Sequence, residues 1–259
     1  MNIPQNILDR YKKQGRILPW RQTKDPYAIH ISEVMLQQTQ VERVIPYFHQ
    51  WMKDFPDYVS LAKATKTDLL KHRSGLGFNS RALRLQACAQ TVVEQYDGKL
   101  PNKRNQLLGL PGIGPYTSAA ILAFAWNQEV PVIDTNIRRV LIFLYKLPET
   151  ISLQELELFA EKIIPSGKSR DWHNALMDYG ALELTARKTK IKPLSKQSKF
   201  EGSDRQVRGW ILKQLTKDDK PLLISRVQEE FPNKDVADII KGMLDEKLIL
   251  KKKGTLILE

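Results

Sequence analysis

LLGLPGIGPYTSAAILAFA, residues 107–125, joins two helical patterns through a Pro-Gly turn near the middle of the chain. Its centre, Leu110-Pro111-Gly112-Ile113-Gly114, is a short turn between two helical patterns. Upstream, residues 103–109 read as a brief helix stopped by Gly109 and Pro111. Downstream, Pro115 sits at a first helical position, where its missing N–H costs nothing. Residues 117–125 then supply small and apolar side chains at helical spacing. Gly112 and Gly114 permit positive φ and a close approach of backbone to a partner. The N–H groups at the start of a helix can hold a phosphate. Two readings follow: a backbone clamp for nucleic acid, or a tight turn between packed helices. The rest of the chain has to choose between them.

Composition narrows the choice. At 259 residues the chain is long enough for one or two domains with a buried core. Apolar residues make up 42%, and no run approaches the roughly 20 apolar residues of a membrane span. The first residues, MNIPQNILDRYKKQGRILPW, lack a continuous apolar run, so a secretory signal is not expected, and no membrane partner is expected either. The net charge of +12 and a pI near 9.6 favour a polyanionic partner, although surplus lysine on a solvated surface gives the same sum. Cys88 is the single cysteine. It excludes an internal disulfide and any cluster held by several thiolates of this chain, and it fits a reducing compartment such as the cytoplasm.

Taken in order, residues 3–15 form an amphipathic helix ended by Gly15, and residues 16–27, RILPWRQTKDPY, a loop. Trp20 in that loop either packs or presents its ring, with the Arg21 guanidinium, to a ligand. Residues 31–48 read as one helix, with Glu33 near its start, where a carboxylate complements the dipole. The polar block Gln37-Gln38-Thr39-Gln40 interrupts its pattern; uncharged amides enter stacked bases at lower desolvation cost than charges, or simply face solvent. Pro46 bends or divides the segment. Short helices follow over 57–64 and 66–72, then the glycine-rich loop SGLGFNS, 74–80, then a strong helix over 81–96. Asp134 sits where an N-cap belongs, ahead of a helix over 135–145, with Asn136 able to cap or bind. Residues 153–163 and 172–184 are further helices, and no strand is expected in the first 186 residues.

Residues 187–199 hold Arg187, Lys188, Lys190, Lys192, Lys196 and Lys199 and no acid, so charge repulsion and Pro193 predict a linker rather than a helix. Residues 205–215, 222–231 and 234–246 read as helices. Two β-prone runs, 248–250 and 255–258, are joined by Lys251-Lys252-Lys253-Gly254. Three helices followed by a basic hairpin match a winged-helix layout. The expected organisation is residues 1–186, a basic linker over 187–203, and a winged-helix-like α+β domain over 204–259. The larger part is all-α.

Seven blocks now carry a resemblance: LPWR (18–21), DPY (25–27), SEVMLQQTQV (32–41), GLG (75–77), LPGIGPYT (110–117), IDTN (133–136) and ALMDYGA (175–181). In this order they resemble the helix-hairpin-helix DNA glycosylases, above all the adenine glycosylases that act on adenine mispaired with guanine or 8-oxoguanine. The resemblance implies roles. Glu33 matches the acid that protonates adenine and then handles the water, and Asp134 the carboxylate that stabilises the sugar cation. Tyr116 and Asn136 match residues beside the reacting nucleotide, and Trp20 and Arg21 the wall around the extruded base. Gln38, with Thr39 next to it, matches the side chain that enters the duplex. Phe78, in the loop with Leu76, occupies the place of a wedging tyrosine. Gly112 and Gly114 belong to the DNA clamp, and an alkali cation is implied at the carbonyls near Leu110 and Gly112.

Those residue types suit the reaction. A base must leave the duplex before its glycosidic bond can be reached. Cleavage leaves an oxocarbenium-like sugar, which an anion at Asp134 stabilises. Adenine leaves readily only when a ring nitrogen is protonated, which Glu33 can do if burial raises its pKa. Relatives with lyase activity carry a lysine where this chain has Tyr116. Without that amine no Schiff base forms, so hydrolysis with weak or no strand cleavage is expected. Two departures stand out. The four-cysteine iron–sulfur loop that follows ALMDYGA in the family is replaced by LELTARKTKIKPLSKQSKF, so no cluster is expected and Lys188, Lys190 and Lys192 are expected to take over its phosphate contacts. Residues 204–259 do not resemble the family's β-rich 8-oxoguanine-recognition domain. The expected partner is duplex DNA carrying a mismatched adenine, bound by a monomer, in the cytoplasm and, if the source is bacterial, at the nucleoid. Two other readings compete: a glycosylase removing thymine or uracil opposite guanine, and a non-enzymatic DNA-binding protein.

Overall fold

A computed structural model describes residues 3–73, 80–193, 199–218 and 220–258. Leu76 and Phe78, and residues 194–198 of the basic stretch, lie outside the described residues. The helices run in the order α1 (Ile3–Gln14), α2 (Pro26–Leu36), α3 (Val41–Asp54), α4 (Tyr58–Lys63), α5 (Lys66–Arg73), α6 (Ser80–Tyr96), α7 (Arg104–Leu108), α8 (Pro115–Trp126), α9 (Thr135–Tyr145), α10 (Leu153–Lys162), α11 (Ser169–Asp178) and α12 (Ala186–Thr189). A short 3-10 turn, Pro19–Arg21, precedes α2, and a wider helical turn, Tyr179–Glu183, extends α11. Then come α13 (Asp204–Asp218), β1 (Leu222–Leu223), α14 (Ile224–Glu230), α15 (Val236–Asp245), β2 (Leu250–Lys252) and β3 (Thr255–Ile257). The fold is all-α apart from this small antiparallel sheet, whose strand order is β1-β3-β2.

Two compact units emerge: Met1–Val34 with Leu100–Lys196, and Met35–Lys99 with Gln197–Glu259. In the first, α8 is buried on every face from Thr117 to Ala125, as its small residues allow. It packs on α7 and α11, while α11 also meets α1 and α9. Ile7, Leu8, Ile137, Leu141, Trp172 and Leu176 share one apolar cluster there. Asn127 closes α8 at φ 56°, and its side-chain amide bonds the Gly167 carbonyl and the Arg170 N–H. In the second unit α4 packs on α6, and α13 on α5 and α15. Leu70 of α5 lies in one cluster with Val207, Ile211, Ile240, Met243 and Leu256, so the C-terminal module shares its core with the α5 region.

Five sequence expectations change. Residues 31–48 are not one helix: α2 begins at Pro26 and stops at Leu36, and α3 starts at Val41. The polar block is the break itself, because Gln38 takes φ 60° and Thr39 N–H closes on the Leu36 carbonyl at 3.2 Å. Pro46 is accommodated inside α3. The basic stretch opens as a helical turn, α12. Lys190 ends it at φ 60° with its N–H on the Ala186 carbonyl, Ile191 is buried, and Arg138 donates to the Lys192 carbonyl at 3.4 Å. The lysine side chains stay in water, so their repulsion is screened. Leu222 and Leu223, read as helix, pair with Leu256 and Thr255 as a strand. Of the two hairpin glycines only Gly112 is left-handed, at φ 78°; Gly114 is extended, at φ −95° and ψ −177°.

Candidate active site

The hairpin between α7 and α8 is pinned by its apolar residues. Leu110 and Ile113 are buried, and the Ile113 N–H reaches the Leu110 carbonyl at 3.2 Å. Gly112 faces outward. At Gly114 a Cβ would meet no atom within 4 Å, so neither backbone conformation nor internal packing requires glycine there. Glycine leaves the backbone at the start of α8 bare on that side.

Two residues into α8, the Tyr116 hydroxyl hydrogen bonds to the Glu33 carboxyl. Glu33 lies two turns into α2, whose residues from Tyr27 to Met35 are all buried, so no face of that helix offers it water. Complementing the dipole at a helix start is thereby ruled out; so far along, the dipole disfavours its charge. Glu33 is 6% exposed, and burial pushes its pKa up to about 7. The Tyr116 hydrogen bond opposes that rise, Asp134 adds to it, and Arg21 opposes it. The same burial and the two carboxylates raise the Tyr116 phenol well above 10, so it donates rather than ionises.

Asp134 caps α9, accepting the Ile137 N–H at 2.6 Å. Asn136 donates to its other oxygen at 3.4 Å, and Arg139 donates to the Asn136 Oδ1 at 2.7 Å. Arg139 is itself buried and anchored on the carbonyls of Leu184, at 2.6 Å, and Gly180, at 2.7 Å. This chain fixes which way the Asn136 amide points. Gly180 makes it possible: a Cβ there would come within 3.0 Å of Asn136 Cβ and Val140 Cγ2. Burial raises the Asp134 pKa, while the Ile137 N–H, Asn136 and the Arg139 charge pull it back toward the anion. The extended approach to Asp134 is held by His173, whose Nε2 accepts the Val132 N–H at 3.2 Å while Nδ1 bonds the Ser169 carbonyl at 2.8 Å. Burial drops the His173 pKa to about 4, so the ring stays neutral as that pairing requires.

Trp20 is buried in the turn before α2. Arg21 spends its guanidinium on Asp178, with two bonds of 2.9 Å. Arg16 adds its backbone N–H at 2.9 Å and its Nε at 2.7 Å to the same carboxylate. Gln38 and Thr39 sit on the turn between α2 and α3, Gln38 exposed and left-handed. Lys188, Lys190 and Lys192 are exposed on and just after α12. The structure thus brings together Glu33, Tyr116, Asp134, Asn136 and Arg21. Sequence reasoning missed Arg139, Asp178, Gly180 and His173. Two of these lie inside the quoted ALMDYGA block, and Arg139 stands out as a charge within the apolar run RRVLIF.

Among the described residues no group of three or more His, Cys, Asp or Glu is placed to hold a metal, and no helix is long and apolar enough to cross a membrane.

The family model of HhH-GPD superfamily base excision DNA repair proteins matches residues 31–166. An adenine DNA glycosylase of Mycolicibacterium smegmatis is 35% identical over 240 residues, covering 85% of this chain and 82% of that protein. A thymine/uracil-DNA glycosylase of Methanothermobacter thermautotrophicus is 32% identical over 190 residues, covering 72% of this chain and 86% of that one. The solved structure of a thermostable thymine-DNA glycosylase aligns with a TM-score of 0.68 at 31% identity, over 72% of this chain and 88% of its own. The chain spans less of other curated relatives, 52% of one and 38% of another. It belongs to the HhH-GPD superfamily of base excision DNA repair proteins and is a DNA glycosylase, a hydrolase of N-glycosyl bonds, with adenine DNA glycosylases among its relatives.

Proposed function

We propose that this glycosylase removes adenine from duplex DNA where it faces guanine or 8-oxoguanine, by hydrolysis. The observation that supports this most is Glu33: a buried carboxyl with a pKa of about 7, beside Tyr116 and Asp134. At neutrality about half of it is the carboxylic acid, which is the form that protonates a purine ring nitrogen. As the bond from C1′ to the base breaks, its electron pair leaves with the protonated adenine. Asp134, whose charge is favoured by Ile137, Asn136 and Arg139, stands as the anion for the oxocarbenium-like sugar. The Glu33 carboxylate then takes a proton from water as the water oxygen bonds C1′. An abasic site remains and the acid is restored. Tyr116 offers no amine for a Schiff base, so strand cleavage is weak or absent.

In this reading Trp20 and Arg21 wall the base pocket, with Arg21 fixed by Asp178. Gln38 and Thr39 enter or flank the duplex; Leu76 and Phe78 serve beside the opposing base. Gly112 and Gly114 admit a phosphate, and Lys188, Lys190 and Lys192 contact the backbone. Carbonyls near Leu110 and Gly112 are hard oxygen donors that suit an alkali cation, and the Leu110 oxygen keeps a lone pair beyond its bond to Ile113. No step of the chemistry passes through it. The organisation is a glycosylase body over 1–186, a basic connection over 187–203 and a winged-helix module over 204–259, acting as a monomer.

Likeness to the thymine/uracil and thymine glycosylases favours a second reading, pyrimidine removal opposite guanine. One panel separates the two. Duplexes holding A·8-oxoG, A·G, T·G and U·G are incubated with the protein and treated with alkali. Cleavage of the adenine strand supports the proposal; cleavage confined to the pyrimidine strand, or binding without any abasic product, overturns it.

A further inference from the structure

The C-terminal hairpin carries three consecutive lysines, Lys251, Lys252 and Lys253, all exposed. Strand β2 is an edge strand, paired only with β3 in the sheet order. Lysines on an edge strand deter pairing with another chain, and that accounts for Lys251 and Lys252. It does not account for Lys253. Lys252 pairs with Thr255, so Lys253 and Gly254 form the tip, at φ 46° and φ 79°. A hairpin tip with both central residues left-handed favours Asn-Gly or Asp-Gly, and a lysine there is strained. Thr255 Oγ1 locks the turn by donating to the Lys252 carbonyl at 2.6 Å. Three consecutive exposed cations, the last held at a locked tip, point to an anionic ligand for the charge.

The rest of the module tells which element meets that ligand. In a helix-turn-helix the second helix reads DNA, and its counterpart here is α15. Its exposed residues are Ala237, Asp238, Lys241 and Asp245, and Asp235 and Glu246 flank it. Exposed Lys247 follows, so this surface is mixed in charge and attracts phosphate less than the uniformly basic hairpin. Among the described residues, ion pairs of this unit join Arg208 to Glu246 and Lys234 to Asp204, and the hairpin lysines take part in neither.

We propose that the hairpin tip, Lys251-Lys252-Lys253, is a second DNA-binding element that grips the phosphates of duplex DNA without reading sequence, while α15 is turned to other surroundings. This rests on the protein's acting on DNA but not on which base it removes. Counterion release makes the contact measurable: each phosphate neutralised steepens the fall of log affinity with log salt by about 0.9.

The test uses the full chain and a fluorescein-labelled perfect duplex, titrated by anisotropy from about 50 to about 200 mM salt. Lys251→Gln/Lys252→Gln/Lys253→Gln should weaken binding about tenfold or more at the low end and flatten the slope by about 2–3. Lys253→Asn should weaken binding a little while raising Tm by about 2 °C, because asparagine tolerates the tip conformation. Affinity and slope of the triple variant within about twofold of wild type, with its melting transition intact, would overturn the proposal, whichever acidic partner the hairpin then meets. So would a fall in Tm for Lys253→Asn with binding unchanged. If the wild type excises no adenine, the proposed substrate falls, yet the perfect duplex still decides the hairpin.

Discussion

Two buried carboxylate sites in the same unit behave in opposite ways. Asp178 is buried, yet its pKa lies below the usual aspartate value, because Arg21 and Arg16 together supply four hydrogen bonds and two positive charges. Glu33 is equally buried and rises to about 7, because its chief partner is the neutral Tyr116 hydroxyl. Burial pushes both upward; the guanidinium pairs reverse the sign only at Asp178. The cations lock one carboxylate as a structural anion. Their relative absence leaves the other as an acid. Arg21 joins the two sites, since it clamps Asp178 and also lowers Glu33 slightly.

The contrast can be broken by substitution. Removing the acid should have the largest effect: Glu33→Gln should slow single-turnover excision by roughly 10³- to 10⁴-fold, with DNA affinity nearly unchanged. Near-wild-type rates would erase the distinction. Asp178→Asn should instead act on the fold, leaving Arg16 and Arg21 without their shared anion and costing about 3–5 kcal/mol in denaturant unfolding. A loss below about 1 kcal/mol would reduce Asp178 to a surface pair. Because the Asp178 pKa is lowered on folding, its contribution is present above the unfolded value of about 3.9 and is lost as pH falls through the folded value.

Glu33 has the reverse linkage. Its folded pKa of about 7 exceeds the unfolded 4.5, so the folded state binds the extra proton between those values and loses stability as pH rises through them. Glu33→Gln should therefore stabilise the protein by about 2–3 kcal/mol at pH 8.5, with the gain fading toward pH 4.5. Equal stability of the two proteins at every pH would contradict the shift. A smaller effect is expected at Gly180→Ala. The added methyl must displace Asn136 or Val140, costing about 1–2 kcal/mol and slowing excision several-fold by disturbing the donor to Asp134. An unchanged rate would detach Asn136 from the reaction.

The hairpin, the helix boundaries around it and the cap at Asp134 were legible in the sequence because each is local: a Pro-Gly pattern, a small-residue run, an aspartate before an apolar helix. Glu33 was legible as an acid only through its block of residues. Its apparent place at a helix start was misleading, because α2 begins earlier, at Pro26. The break after Leu36 falls on the polar block that interrupts the helical pattern, but the left-handed glutamine that makes it a break is not written in the spacing. The clamp on Asp178 joins residues 157 apart, and Arg139 finds Leu184 and Gly180 across more than 40 positions. Spacing carries no trace of such pairings. The charge census of 187–199 was right and its inference of a linker throughout was not. Exposed lysines do not prevent a helical turn when Ile191 is anchored beneath them.

If Glu33 works as a carboxylic acid raised by burial, the pH dependence of single-turnover adenine excision will show it. With Glu33 at about 7, the rate should be highest just below neutrality and fall about tenfold per pH unit well above it. The rate should also fall at low pH, as Asp134 gains a proton. A rate that stays level from pH 6 to pH 9, with the enzyme still folded and bound to DNA, would contradict the account.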